Sequence, residues 1–374
     1  MGITNLVSLC NCDVLALKVA SPSSTPPDEF LDVFEGLGAL QGSIIVIDRN
    51  IPPCVHTPRR VPMALRQPIK EKLDNLVERK VLVPATEPTQ WVSTMLAIEK
   101  PNKVRICIDP RDLNRAILRE HYQLSTIDEV ASRLTGAKKF TLCDAKDGFH
   151  QILLDDTSSY LTTFNSPFGR YRWTRMPFGI SSAPEVWQRR MHELIEDLEG
   201  VKVIADDFLI TGFSETDAEV TASLEKNERA FLQKCRQWNL KLNKTKLKQA
   251  QTEVRFMGHL LTPKGMKADL SKVEAILEMP PPNEVKGLNK RTLRMVNYLA
   301  KFLTLLSNIT EPLRRLEDKE TEWCWLEQHQ RAFDTVKQYL ADAPVMKYYN
   351  IIKEVTIQCD ASETSLGAVL MQQG

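Results

Sequence analysis

Three aspartates in this chain invite chemistry, because each is delivered by an apolar, strand-like run. Val201-Lys-Val-Ile-Ala-Asp-Asp-Phe-Leu-Ile210 places an acid pair between two strand-forming segments. That pattern predicts a tight hairpin with Asp206 and Asp207 at its tip. A bare Asp-Asp pair is ordinarily a solvated turn. Here nearly every flanking residue is apolar, so the acids sit where a buried hairpin surfaces. Two adjacent negative charges at the mouth of a core are costly unless a cation neutralises them. Phe140-Thr-Leu-Cys-Asp144 is a second apolar run ending in a carboxylate, followed by the turn Ala145-Lys-Asp-Gly148. Asp147, in that turn, is expected to cap it locally. Asp144, Asp206 and Asp207 therefore form the candidate metal set. Hard divalent ions favour carboxylate oxygens, and two of them ~4 Å apart can activate a hydroxyl and stabilise a leaving pyrophosphate.

Regular elements must hold these acids in place. The middle third alternates strands and helices: a strand at 139–143, a helix from Ser181 to Leu198 with Ala183-Pro184 in its first turn, and a long amphipathic helix from Thr216 to Trp238. Upstream, residues 50–68 carry five prolines and several arginines and are expected to run extended over the surface. Ile69 to Lys80 has a helical apolar stripe. Strands are expected at 93–98 and 104–108 around the turn Lys100-Pro101-Asn102-Lys103. Pro280-Pro281-Pro282 punctuates the chain, which then reads as mostly helical to about Asp342. Val355–Cys359 and Gly367–Met371 begin a further sheet.

The bulk numbers fit two or three globular domains: 374 residues, 43% hydrophobic and 26% charged. The net charge is only +1, so any phosphate-facing surface must come from uneven placement. Glu228 to Arg255 supplies it, with eight basic residues and two acidic. Eight cysteines without a Cys-x-x-Cys pair, and no signal peptide, suggest reduced thiols inside the cell, in cytoplasm, nucleus or a particle. No apolar run approaches the ~20 residues of a membrane helix.

Five segments stand in a telling order: Val104-Arg-Ile-Cys-Ile-Asp-Pro-Arg-Asp-Leu-Asn114, Leu142-Cys-Asp-Ala-Lys-Asp-Gly-Phe-His-Gln151, Met176-Pro-Phe-Gly-Ile-Ser-Ser-Ala-Pro184, Ile204-Ala-Asp-Asp207 and Arg255-Phe-Met-Gly-His259. Each alone is weak, but the order and spacing are specific. Over roughly residues 44–374 the chain resembles the reverse transcriptases of gypsy-type LTR retrotransposons and of retroviruses. The resemblance implies an α+β right-hand polymerase fold of fingers, palm and thumb, with a helical tether. It also implies Asp144, Asp206 and Asp207 as ligands of two Mg2+ (or Mn2+) ions. The partners implied are a primed RNA or DNA template and deoxynucleoside triphosphates, with no membrane; the oligomeric state stays open. Lys100 and Arg105 match residues that hold the incoming triphosphate, where fixed cations neutralise developing charge. Phe149 matches a steric gate against the ribose 2′-hydroxyl. Pro177, Phe178 and Gly179 match the turn near the template and the incoming base. Phe256, Met257, Gly258 and His259 resemble the primer grip, beside a lysine-rich stretch at 241–248.

On this reading 1–43 is a leader and linker, 44–83 a strap and first fingers helix, and 84–262 fingers and palm. Thumb and tether helices follow at 263–350, then a truncated ribonuclease H-like edge at 351–374. At that edge, Val355 to Ser362 and Gly367 to Leu370 resemble the first ribonuclease H hairpin, with Asp360 as first metal ligand. A two-metal site needs several carboxylates, and only Glu363 lies near, so these residues are not expected to cleave RNA. Three departures stand out. Ile204 takes the place where Tyr commonly precedes x-Asp-Asp. Gly287 to Arg294 is unusually basic for a tether. Protease Asp-Thr/Ser-Gly and integrase His/Cys motifs are missing, as expected of an incomplete element. The rival expectation is an inactive retroelement-derived remnant that only binds nucleic acid. A viral RNA-dependent RNA polymerase fits Phe149 and the C-terminal edge less well.

Overall fold

The structure is a computed structural model that describes residues 25–100, 103–288, 306–318, 321–341, 345–350, 352–361 and 366–372. The leader through Ser24, the basic run 289–294 and Glu363 lie outside the described residues, as do the side chains of Lys100 and Asp360.

A four-stranded antiparallel sheet carries the candidate acids, in the order β11 (Lys248–Gln251), β5 (Ala137–Asp144), β10 (Asp207–Phe213), β9 (Val201–Ile204). Successive residues alternate between two cores. Cys143, Phe208 and Ile210 join one cluster; Phe140, Leu209 and Ile204 join the other. With both faces covered, the strands read as continuous apolar runs rather than as alternation. Helices α6 (Ala183–Ile195) and α7 (Asp217–Gln237) cover the first face, where the Phe208 and Phe231 rings lie 4.8 Å apart. A capping box from Thr216 and Glu219 opens α7, and its buried Val220, Leu224, Phe231 and Cys235 follow the helical repeat. The second face meets α4 (Ile127–Ala131), the three-stranded sheet β12 (Val254–Phe256), β13 (His259–Thr262), β14 (Gly265–Ala268), and α8 (Leu270–Leu277). The β12–β14 sheet thus runs through the palm boundary expected at 262.

The fingers sheet has the order β2 (Leu82–Pro84), β8 (Gly169–Trp173), β7 (Phe164–Ser166), β3 (Ser93–Lys100), β4 (Lys103–Asp109). The expected β3–β4 hairpin is paired from Thr94↔Asp109 to Lys100↔Lys103. Short helices α3 (Arg111–Ala116) and α5 (Asp156–Leu161) flank this sheet, and α2 (Met63–Glu78) buries Ile69, Leu73 and Leu76 in the shared core. The extended strap expected over 50–68 is therefore shorter: it ends at Pro62, whose extended backbone (φ −53°, ψ 142°) caps α2. Pro68 lies inside that helix. Burial of the stripe at 69, 73 and 76 outweighs its missing N–H.

The linker expected through residue 43 also packs sooner. Helix α1 (Pro26–Glu29) leads to buried Phe30, Val33 and Phe34, and β1 (Leu40–Ser43) pairs in parallel with β6 (Ile152–Leu154). The Arg236 guanidinium of α7 stacks over Phe30 at 4.2 Å and bonds Asp32. Toward the C-terminus, helices Leu306–Arg315 and Glu327–Ala341 pack through Leu313, Leu316 and Phe333. The expected last hairpin forms between β15 (Val355–Ala361) and β16 (Leu366–Gln372). Among the described residues no helix is long and apolar enough to cross a membrane.

Candidate active site

The three aspartates converge. In the β5–β10 register Asp207 stands directly opposite Asp144, and across the β9–β10 hairpin it faces Ile204. Ala205 takes a left-handed conformation (φ +52°) at the turn, which leaves Asp206 at the tip. The tip is pinned from two sides. The Trp187 indole donates to the Ala205 carbonyl at 2.8 Å, and the Gln188 side-chain oxygen accepts from the Ala205 N–H at 2.9 Å. The Ala145 N–H donates to the Asp206 carbonyl at 2.9 Å, tying the end of β5 to the same turn. Neither Trp187 nor Gln188 was singled out by motif; the one hint is a glutamine on a buried helix face.

Charge at the site is poorly compensated. Burial, with Asp144 and Asp207 close by, pushes the Asp206 carboxyl up to about 6, and burial with Asp144 also raises Asp207. Asp206 Oδ1 is buried with no hydrogen-bond partner. A buried carboxylate oxygen without a donor, among three acids, is the environment a hard cation satisfies. The nearest protein cation is Lys246, whose Nζ lies 2.7 Å from Asp144 Oδ2. Gly148 (φ +28°) fits beneath: a Cβ there would stand 2.8 Å from Asp206 Oδ1. Asp147 does not cap its turn through its side chain, as the sequence suggested, but bonds Arg79 at 2.5 Å.

Phe149 is half-buried, its ring 5.3 Å from Phe178 and 6.2 Å from Trp187, and it follows the glycine that abuts Asp206. His150 beside it is buried against Trp173, and desolvation pushes its pKa down to about 4, so it is neutral. Arg105 on β4 is exposed and holds its guanidinium 4.7 Å over the Phe178 ring. Gly179 (φ +113°) has no room for a side chain, since a Cβ would meet the Ile108 carbonyl at 2.5 Å. Asn114 locks this turn by donating to the Gly179 carbonyl and accepting from the Ser181 N–H, both at 2.9 Å. Pro177 is buried and Gly179 exposed. Of the primer-grip residues, Phe256 and His259 are each only 1% exposed, so their side chains belong to the core. Ile204 shares that cluster with Phe256, which is where the departure from Tyr is absorbed. Met257 and Gly258 (φ +47° and +77°) form the exposed tip of the β12–β13 hairpin, with Met257 40% exposed.

A palm sheet carrying three carboxylates, a fingers sheet and covering helices make up the right-hand polymerase fold. The chain carries a reverse-transcriptase domain: residues 98–261 match the family described as reverse transcriptase (RNA-dependent DNA polymerase), and 325–374 match the RNase H-like domain found in reverse transcriptase. That second match starts ahead of the ribonuclease H-like edge expected at 351. The chain is 31% identical over 362 residues to the retrovirus-related Pol polyprotein from transposon 412 of Drosophila melanogaster, covering 92% of this chain and 28% of that relative. It is 29% identical over 281 residues to a Transposon Tf2-3 polyprotein of Schizosaccharomyces pombe, covering 75% of this chain and 21% of that one. The chain therefore spans less than a third of these polyproteins. Among solved structures, a foamy viral protease-reverse transcriptase in complex with double-stranded DNA superposes with TM-score 0.82 at 18% identity, over 93% of this chain and 61% of that one. The same enzyme with an RNA/DNA hybrid gives 0.78 at 19% identity, over 92% and 47%. At such identities the likeness establishes the fold.

Proposed function

We propose that this chain is the polymerase portion of a gypsy-type LTR retrotransposon Pol polyprotein, extending a primer with deoxynucleotides on an RNA or DNA template. The observation that carries the reading is the Asp144–Asp207 register beside Asp206, whose buried Oδ1 has no donor. Asp144, Asp206 and Asp207 would hold Mg2+ or Mn2+. Metal held there would supply Lewis acidity, favouring ionisation of the primer 3′-hydroxyl and stabilising charge on the departing pyrophosphate.

The chain's own residues do the positioning. Trp187 and Gln188 fix the hairpin tip, and Gly148 leaves room for the Asp206 carboxylate. Arg105 is exposed at the fingers sheet to neutralise triphosphate oxygens, with Lys100 on the neighbouring strand assigned the same task. Phe149, braced by Phe178 and Trp187, walls the space beside Asp206 where the sugar of an incoming nucleotide would sit. Phe178 and Gly179 face the template side, and Met257-Gly258 present the tip that a primer end would meet. Lys244, Lys246 and Lys248 supply a cationic track for phosphates. The foamy viral complexes with DNA and RNA/DNA hybrid support a nucleic-acid partner.

The direct experiment is primer extension by the purified chain on an RNA template with Mg2+ and all four deoxynucleotides. Templated products support the reading. A protein that binds primer–template tightly yet adds no nucleotide with Mg2+ or Mn2+ contradicts it.

A further inference from the structure

Away from the carboxylates, a second group of donor atoms gathers where the strap crosses the fingers. Cys54 and His56 alternate along an extended stretch, so their side chains leave the same face. That stretch is held by backbone pairing to the segment before β3: the Val92 N–H donates to the Cys54 carbonyl at 3.0 Å, and the His56 N–H donates to the Val92 carbonyl at 2.9 Å. Asn165 adds a bond to the His56 carbonyl at 2.5 Å. Val55 between them points outward and is exposed. Opposite their shared face stands Asp112 of α3. Its Oδ2 lies 2.7 Å from His56 Nε2, which in turn lies 3.5 Å from Cys54 Sγ. One donor atom from each of the three falls within 4.8 Å of the others. Asp112 Oδ1 also accepts from Arg115 at 3.1 Å, leaving Oδ2 to face the histidine.

We propose that Cys54, His56 and Asp112 form a three-ligand site for a zinc-class divalent ion that fastens the strap to the fingers. The donor set selects the metal: a thiolate and an imidazole suit Zn2+, whereas Mg2+ takes oxygen ligands. The spacing suits it too. Tetrahedral bonds of ~2.3 Å to sulfur and ~2.0–2.1 Å to nitrogen place those two atoms about 3.5 Å apart. To become the third ligand the carboxylate oxygen would withdraw from the imidazole by ~0.6 Å and close on the sulfur, which lies within 4.8 Å, with solvent as the fourth ligand. The three residues are partly exposed, so an ion can enter without unfolding the fingers. The site does not depend on the polymerase reading.

The test is zinc binding to the full 374-residue chain in excess Mg2+, added to compete zinc away from the three aspartates. Co2+ serves as the spectroscopic probe, because a thiolate ligand gives it a sulfur-to-metal charge-transfer band. Wild type should hold one equivalent of Zn2+ through gel filtration and show that band. Cys54→Ser removes the sulfur but keeps the His56–Asp112 contact, so it should fold, lose the band and weaken Zn2+ affinity by more than the ~10–100-fold that loss of an outer-shell partner costs. Asp206→Asn should bind zinc as wild type does. Zinc should also slow tryptic cleavage after Arg59 and Arg60 in wild type and not in Cys54→Ser. No retained zinc in wild type, or a charge-transfer band that survives Cys54→Ser, overturns the site.

Discussion

Lys246 Nζ sits 2.7 Å from Asp144 Oδ2, so a lysine cation occupies part of the field that a metal ion would otherwise neutralise. The Lys246 side chain is 59% exposed, which limits the strength of the pair. It nonetheless competes with a divalent ion for the same oxygen. Lys246→Ala should therefore lower the Mg2+ concentration giving half-maximal extension by ~2–5-fold, the worth of an exposed pair of up to ~1 kcal/mol. A Mg2+ requirement that rises in this variant would show that Lys246 assists binding of the ion or substrate instead.

The pH dependence of stability follows from Asp206. Its carboxyl is raised from 3.8 to about 6 by burial and by Asp144 and Asp207. Between those values the folded chain holds the proton more firmly than the unfolded chain, so stability falls as pH rises through this window. Without metal, Asp206→Asn should thus be more stable than wild type at pH 7, by about 1–2 kcal/mol after allowance for partial exposure. The advantage should vanish below about pH 3, beneath both values. Added Mg2+ should raise the wild-type unfolding midpoint more than that of the variant. Thermal or urea unfolding in EDTA and in Mg2+ checks this; equal stability of the two proteins at pH 7 in EDTA contradicts it.

Gly148 lies close against the Asp206 carboxylate. A methyl group there meets Asp206 Oδ1 at 2.8 Å, on a backbone already at φ +28°. Gly148→Ala should cut extension by ~100-fold, the typical cost of a misplacement near 1 Å. Primer–template affinity rests on phosphate contacts elsewhere and should change little. Wild-type extension by this variant would mean that the Asp206 side chain has latitude the structure does not give it.

Phe149 packs in the core and is proposed to act as a gate, and one substitution can separate the two. Its ring packs on Phe178 and Trp187, so truncation costs stability whatever else it does. As a gate, the ring would exclude a 2′-hydroxyl by overlap and would offer it no hydrogen bond. Phe149→Val should lower the dNTP/rNTP ratio of kcat/KM by at least ~100-fold, about 2.7 kcal/mol. An unchanged ratio in a merely less stable protein would assign Phe149 to the core alone.

How far the sequence reached depended on how local each determinant was. The β5 and β9–β10 strands were legible because burial on both faces left unbroken apolar runs ending in aspartates. The α2 boundary was misplaced because Pro62 and Pro68 look alike in sequence, yet one caps a helix and the other sits within it. The sequence around Asp147 points to its own turn, because nothing local reveals Arg79, 68 residues away. Lys246 finds Asp144 across 102 residues and was equally hidden. Their motif alone assigns Phe256 and His259 to the primer grip. The packing of β12–β13 against Phe140 and Ile204 turns both inward and leaves Met257-Gly258 at the surface.

In the proposed function, Asp144, Asp206 and Asp207 together run metal-dependent nucleotidyl transfer. Its most direct test is single-turnover primer extension on an RNA template by Asp144→Asn and Asp206→Asn, alongside primer–template affinity at several salt concentrations. Each substitution removes one carboxylate charge from the site. Extension should fall by at least ~1,000-fold, equivalent to about 4 kcal/mol of transition-state stabilisation. Affinity should stay within about twofold of wild type and weaken steeply with salt in all three proteins. Extension at the wild-type rate by either variant would contradict the claim.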